Sequence, residues 1–270
     1  MLAIGRSEGR PGAQRVVLER FETFDTLAGF AQRLREPGDW VGGFDLPFGL
    51  PRELVEALGW PTDWLGCMRH YAALSRDEIR TAFAAFCDAR PVGGKFAHRA
   101  TDGPAGSSPS MKWVNPPVAF MLHAGVPLLI DAGVCLPGVY PGEIAHREGV
   151  ASPPRVALEA YPGLLARSVL GNRSYKSDDK AKQTPERFIA RKDLADALEA
   201  GRAPLLASAG LRLKWTHAQR EAVVDDASGD RLDAVLCLLQ AAWGVSQHQQ
   251  GHPRYGLPDF DPLEGWIVSA

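Results

Sequence analysis

Four carboxylates near the ends of predicted elements are the residues of this sequence best suited to chemistry. Asp45 ends a predicted buried strand, and Glu159 lies in a second predicted strand. Asp230 and Asp233 open the last predicted helix. Carboxylates that are held close together repel one another, and a divalent ion that prefers oxygen ligands, such as Mg²⁺, removes that repulsion. Such an ion also activates water and polarises a phosphoryl oxygen, so phosphodiester hydrolysis is one chemistry that these acids could perform.

The spacing of the last two acids is the most informative part of this pattern. Residues three apart lie on one face of a helix, so the carboxylates of Asp230 and Asp233 point the same way. The face that continues from Asp233 is apolar, through Cys237 and Leu238. A charge at the edge of a core costs free energy unless it is paired or binds a cation. Simpler roles stay open, because first-turn acids also serve the helix dipole, Asp45 could cap a helix and Glu159 could face solvent.

Composition limits the partners that this site could have. The chain has 270 residues, 45% of them hydrophobic, and a formal net charge of -2. This is a globular composition without a general basic coat, so nucleic acid would have to bind at a local patch. The four cysteines are widely spaced, which argues against disulfides or structural zinc. Because no long apolar segment is present, we expect a cytoplasmic protein with no membrane contact, and no protein partner can be inferred.

The elements that must position the acids follow from periodicity and from Gly and Pro. Together they predict one α/β domain, residues 1–270, with a large helical and loop insertion at about residues 60–154. Strands are predicted at Leu2–Ile4, Arg15–Phe24, Trp40–Leu46 and Val156–Tyr161. Helices are predicted after a cap at Asp25, after Pro51, and over Arg76–Ala89, Val118–Ala124, Leu194–Ala200, Thr216–Val224 and Asp230–Val245, with a long loop over Pro91–Pro117.

Two basic segments could hold a phosphate backbone beside the acids. The first runs from Arg90 to Lys112, and the second runs from Arg173 to Lys192. Two aromatic side chains adjoin these segments, Trp113 and Tyr175, and could stack on bases. A solvated charged surface is the alternative interpretation. The candidate phosphate contacts are Lys95, Arg99, Lys112 and Lys176.

Three segments give the chain a family resemblance. They are FDLPFGLP (44–51), LEAYP (158–162) and DRLDA (230–234). In their order and separation the chain resembles a family of predicted nucleases with the ribonuclease-H-like fold, catalogued as domain of unknown function four-two-nine. The last segment is also similar to the Asp-x-x-Asp-Ala signature of Holliday-junction resolvases with this fold. The resemblance covers nearly the whole chain.

The resemblance implies a mixed sheet in the order 3-2-1-4-5 flanked by helices. It also implies a carboxylate cluster that binds Mg²⁺ or Mn²⁺ and acts on DNA or RNA. In that arrangement Asp45, Asp230 and Asp233 hold the metal ion. Glu159 is a fourth ligand or orients the attacking water.

One departure from the family concerns the start of the sheet. The family opens with a central strand that carries an Asp, whereas the segment from Met1 to Arg6 already resembles its second strand. We therefore expect the first strand and its metal-binding Asp to be absent, as in a chain that starts downstream of the family's start. Two other functions stay open: a catalytically silent binding protein of the same fold, and a phosphotransferase. The absence of a Gly-rich phosphate loop counts against the phosphotransferase.

Overall fold

The computed structural model describes residues 1–142 and 155–270, which divide into two units with separate apolar cores. Unit 1 comprises Met1–Asp25, Ala160–Gly256 and Ser269, and unit 2 comprises Thr26–Glu159, Leu257–Val268 and Ala270. Residues 143–154, at the end of the predicted insertion, lie outside the described residues. The single domain with an insertion at about residues 60–154 stays a prediction.

Helices and strands are interspersed along the chain, as expected for a mixed α/β protein. In chain order they are β1 (Leu2–Arg10), β2 (Ala13–Glu22), α1 (Leu27–Arg35), β3 (Trp40–Phe44), α2 (Arg52–Ala57), α3 (Trp64–Ala73), α4 (Arg76–Asp88), α5 (Asp102–Ala105), α6 (Val118–Asp131), β4 (Arg155–Glu159), α7 (Pro162–Leu170), a short 3-10 helix (Lys180–Lys182), α8 (Pro185–Glu199), α9 (Pro204–Ala209), β5 (Leu211–Lys214), α10 (His217–Asp225) and α11 (Asp230–Gln249).

Unit 1 is built on a three-stranded mixed sheet with the order β1-β2-β5. β1 and β2 form an antiparallel hairpin, and β5 pairs in parallel with β2 from Gln14↔Leu211 to Val17↔Lys214. Leu211 and Leu213 are buried while the residues between and after them are exposed, which is the alternation of a strand with one covered face. The core of this unit includes Leu232, Val235, Leu236 and Leu239 of α11.

Unit 2 is mostly helical around a pair of parallel strands. β3 and β4 pair from Trp40↔Arg155 to Phe44↔Glu159, so both strands end at the same edge. The core packs Leu54 of α2, Tyr71 of α3 and Phe83 of α4. The shared end of β3 and β4 is where the sequence placed two of the candidate acids.

The coarse fold agrees with the sequence prediction, and several details correct it. The described residues are mixed α/β with small sheets flanked by helices. The strands form two sheets, whereas a single sheet in the order 3-2-1-4-5 was expected. Asp25 is not the cap of α1, because the Thr26 side chain accepts the hydrogen bond from the Gly29 N–H at 3.1 Å. Unpredicted elements are α3, α5 within the predicted loop, α7, the 3-10 helix, α9, β5 and the first half of α8.

Two further structural facts bear on the expectations. Within residues 1–142 and 155–270, β1 pairs only with β2, and β3 pairs only with β4. The absence of a central strand stays a prediction. No helix in these ranges combines the length and the apolar character needed to cross a membrane.

Candidate functional site

The structure distributes the predicted site residues over the two units. Asp230, Asp233 and Lys176 belong to unit 1. Unit 2 contains the other candidates, which are Asp45, Glu159, Lys95, Arg99 and Lys112. Each group is therefore described within its own unit.

The start of α11 places the two acids of unit 1. Gly229 precedes the helix with φ of 79°, a left-handed conformation that favours glycine. A Cβ at this position would lie 2.7 Å from the Cβ of Lys176, so a larger residue would displace that side chain. The Asp233 N–H donates to the Gly229 carbonyl at 2.8 Å, which forms the first helical turn. As predicted, Asp230 and Asp233 open the last helix, with Asp230 exposed.

Asp233 is a largely desolvated carboxylate that is held by two donors. The hydroxyl of Tyr175 donates to one of its oxygens, and the ammonium of Lys176 donates to the other. The side chain of Asp233 is 13% exposed and that of Lys176 is 43% exposed. Burial raises the pKa of Asp233, Lys176 and Tyr175 oppose that shift, and the charge of Asp230 adds to it. The carboxylate therefore depends on a neighbouring cation, as the sequence predicted.

A buried arginine fixes the segment that supplies both donors. Arg191 of α8 donates to the Tyr175 carbonyl at 2.8 Å and to the Val224 carbonyl at 2.6 Å. Burial lowers the pKa of Arg191, which is only 4% exposed. Arg187, one turn earlier, donates to the Lys176 carbonyl at 2.9 Å. The sequence placed Arg191 on a charged surface, and only its spacing among the apolar residues of α8 could have indicated burial.

In unit 2, Arg99 forms a saturated buried cluster. Its guanidinium donates to Asp102 Oδ1 at 2.9 and 3.1 Å and to the two oxygens of Glu159 at 2.7 and 2.9 Å. The remaining N–H donates to the Glu264 carbonyl at 3.0 Å, so all five donors are used. The side chain is 1% exposed. Arg99 is therefore not the surface cation that phosphate binding requires, and the structure corrects that prediction.

The carboxylate of Glu159 likewise accepts hydrogen bonds from buried protein donors. Besides Arg99, its carboxylate accepts a hydrogen bond from the Phe48 N–H at 2.9 Å, and its side chain is 2% exposed. Burial raises the pKa of Glu159, and Arg99 opposes that shift only in part. A metal ion at Glu159 would have to displace a fully bonded arginine. The contacts indicate that Glu159 fixes the end of β4 and is not the predicted fourth ligand.

The remaining candidates of unit 2 lie at or near the surface. Asp45 directly follows β3 and is exposed, at the strand end that pairs with Glu159. The side chain of Lys95 is 48% exposed and lies 3.8 Å from the carboxylate of Asp88. Lys112 is partly buried. These positions agree with the predicted end of the strand and with one of the predicted surface cations.

The two aromatic side chains proposed as stacking platforms both pack against other residues, and Trp113 stays partly exposed. The Trp113 ring packs against Phe83 and Phe96, with centroids 6.4 and 5.6 Å apart. Tyr175 is 8% exposed and belongs to the core of unit 1. The burial of Tyr175 contradicts its predicted stacking on bases, whereas the stacking of Trp113 stays a prediction.

The described residues offer a pair of acids for a metal ion and not a larger group. Among them, no three His, Cys, Asp or Glu side chains are arranged to hold an ion. Mg²⁺ in phosphoryl chemistry is commonly held by one or two carboxylates, with waters and substrate phosphates completing its shell. Asp230 and Asp233 fit that smaller requirement, since both lie on the first turn of α11 and the side chain of Asp233 is only 13% exposed.

A cavity of about 770 Å³ lies elsewhere in unit 2. Its described lining includes Arg52, Trp64, Tyr140 and Asp261, and none of the predicted site residues. The guanidinium of Arg52 is already paired with Asp261 there. None of the four candidate acids is therefore part of the described lining of this cavity.

Comparison with known proteins assigns the chain to no family. The chain matches no family model, no curated protein and no solved structure. The resemblance carried by residues 44–51, 158–162 and 230–234 stays a prediction, and the contacts of Asp230 and Asp233 are what support a function.

Proposed function

We propose that this chain is a Mg²⁺- or Mn²⁺-dependent phosphodiesterase that acts on DNA or RNA and has a ribonuclease-H-like fold. The observation that carries the proposal is the desolvated carboxylate of Asp233, which lies one turn from Asp230 and is held by Lys176 and Tyr175. A buried acid kept on an otherwise apolar helix face costs free energy, and cation binding supplies a reason to keep it.

Asp230 and Asp233 would hold the metal ion. When bound, the ion supplies a polarised phosphoryl oxygen and a water of lowered pKa. Tyr175 orients one oxygen of Asp233 and leaves Asp230 open to solvent. The ammonium of Lys176 neutralises Asp233 in the free protein, and its partial exposure lets it turn to a substrate phosphate when another cation takes its place.

In unit 2, Asp45 stays a sequence-based prediction of a metal ligand, and we assign Glu159 and Arg99 a structural role at the shared end of β3 and β4. Phe44 pairs with Glu159 at the end of β3, so the buried cluster fixes the strand from which Asp45 projects. Lys95 and Lys112 remain proposed phosphate contacts on the surface of unit 2. Arg99 is omitted from that set because its donors are used inside the protein.

The test is metal-dependent cleavage of single-stranded, double-stranded and branched DNA and RNA by the wild type and by Asp233→Asn. We expect cleavage with Mg²⁺ or Mn²⁺ and at least about a hundredfold loss in the variant, because one of the two carboxylates that hold the ion is removed. Asp77→Asn is the matched control, since Asp77 is also a first-turn helix acid but is exposed and belongs to α4.

Two outcomes would contradict the proposal. Equal cleavage by Asp233→Asn and the wild type would mean that Asp233 does not hold the ion. Binding of nucleic acid without cleavage at any metal concentration would leave the catalytically silent binding protein as the better description.

A further inference from the structure

The outer face of α8 exposes two large apolar side chains in a basic setting. Phe188 is 37% exposed and Ile189 is 52% exposed. Lys192 lies four residues after Phe188, on the same helical face, with its Nζ 5.5 Å from the centre of the ring. This combination of an accessible ring with a neighbouring cation is unlike the purely charged surface that the sequence suggested.

The cations of the segment that contains this ring are only partly neutralised. The segment from Arg173 to Lys192 contains seven basic and three acidic residues, in a chain whose net charge is -2. Within the described part of the chain, Lys180, Arg187 and Lys192 have no carboxylate at ion-pair distance, whereas Lys182 pairs with Asp179 at 3.3 Å. An anionic partner would therefore find charge that the protein does not already use.

This surface is joined to the candidate metal site by a short chain of contacts. Arg187 donates to the carbonyl of Lys176, and the ammonium of Lys176 contacts Asp233. Arg187 is therefore linked to Asp233 through the backbone and the side chain of Lys176. All of these residues belong to unit 1.

We propose that the α8 patch, defined as Lys180, Arg187, Phe188, Ile189 and Lys192, binds single-stranded nucleic acid and leads the strand to Asp230 and Asp233. Phe188 stacks on a base, Ile189 contacts the neighbouring sugar or base, and the three cations bind phosphates. The preference for single strands follows because an aromatic ring stacks only on a base that is exposed, and a duplex keeps its bases paired inside. This inference rests on the proposed function and adds its substrate class.

The first test measures binding of fluorescent oligothymidine and of a duplex of equal length by anisotropy, with EDTA present so that no metal contributes. Phe188→Ala is expected to weaken single-strand binding by about tenfold, the effect of losing one stacked base, and to leave duplex binding unchanged. Phe188→Trp should restore binding, and Phe188→Leu should not, because leucine keeps apolar area but has no ring. Leu27→Ala is the matched control, since Leu27 is exposed but lies on α1.

The second test examines the cations through the salt dependence of single-strand binding. Lys192→Ala should lower the slope of log affinity against log salt by about 0.7, the value for one phosphate contact on a single strand, between about 50 mM and about 200 mM salt. Lys214→Ala, an exposed lysine of β5 in the same unit, should leave the slope unchanged.

The inference is overturned if Phe188→Ala binds oligothymidine as the wild type does, or if it loses duplex binding equally. Failure of the proposed function gives a different result: Asp233→Asn would cleave normally while the binding effects of Phe188 persist. Conversely, loss of cleavage in Asp233→Asn together with unchanged binding in Phe188→Ala would retain the metal site and reject the α8 patch.

Discussion

The pairs Arg99–Glu159 in unit 2 and Lys176–Asp233 in unit 1 share a chemistry and differ in access. In both, burial raises the pKa of the acid and a cation opposes the shift. The side chains of Arg99 and Glu159 are 1% and 2% exposed, against 43% and 13% for Lys176 and Asp233. The first pair is closed to any solute, whereas the second can exchange its cation with solvent.

The type of cation in each pair is consistent with this difference in side-chain exposure. A guanidinium has five donors in a rigid fork, and Arg99 uses all of them on fixed protein acceptors. An ammonium is a point charge on a flexible stem, and Lys176 places it on one oxygen of Asp233. A buried charge is therefore not enough to identify a functional acid. The cation that accompanies it must also be replaceable.

The largest expected effect comes from removing the cation of the buried Arg99–Glu159 pair. Arg99→Met leaves the carboxylates of Asp102 and Glu159 buried without a counter-charge, and should lower the free energy of unfolding by about 3–5 kcal/mol. Chemical denaturation measures the change. Arg80→Met is the control, because the exposed pair of Arg80 with Asp77 should be worth no more than about 1 kcal/mol. Equal losses in the two variants would show that the Arg99 cluster is not structural.

A smaller effect is expected when the more exposed Lys176–Asp233 pair loses its cation. Lys176→Met removes the charge that competes with a metal ion for Asp233, so Mn²⁺ should bind more tightly, by about tenfold or about 1.4 kcal/mol. Isothermal titration calorimetry measures the affinity. Lys182→Met should have no effect, because its partner is the exposed Asp179. Weaker Mn²⁺ binding in Lys176→Met would contradict the exchange of cations at Asp233.

The smallest effect concerns pH. A protonated Asp233 cannot hold a metal ion, and burial raises its pKa above the ordinary value of 3.8. Mn²⁺ affinity should therefore fall as the pH falls, starting above that value and by less than about tenfold per pH unit, as for one proton. In the metal-free protein, Asp230→Asn should move the midpoint of the Asp233 carboxyl titration, followed by NMR, to lower pH, because Asp230 contributes to the raised pKa. An unchanged midpoint would show that the two acids do not interact.

Local patterns predicted the positions of the acids but not their surroundings. Periodicity together with Gly and Pro correctly predicts Asp230 and Asp233 in the first turn of α11. Asp45 lies directly after β3, whereas the predicted strand, Trp40–Leu46, included it. The partner of Glu159 is 60 residues away in sequence, and such a contact depends on the tertiary fold. The four residues of β5 are too few for an alternating pattern to be distinctive.

Other differences arise where tertiary packing outweighs local preference. The helix α6 continues past Pro127 to Asp131, although proline usually ends a helix. The apolar core of unit 2 buries Leu122, Val126 and Leu129 of this helix, and that packing sustains the interrupted segment. Likewise, the burial of Arg191 depends on carbonyl acceptors from Tyr175 and Val224 that no local pattern shows.

The most direct test of the account compares the two acids as metal ligands. Mn²⁺ binding, followed by electron paramagnetic resonance, is measured for the wild type, Asp233→Asn and Glu159→Gln, with circular dichroism as the check of folding. The account predicts at least about a tenfold loss of affinity in Asp233→Asn and wild-type affinity in folded Glu159→Gln. Loss of Mn²⁺ binding in Glu159→Gln with full binding in Asp233→Asn would contradict it.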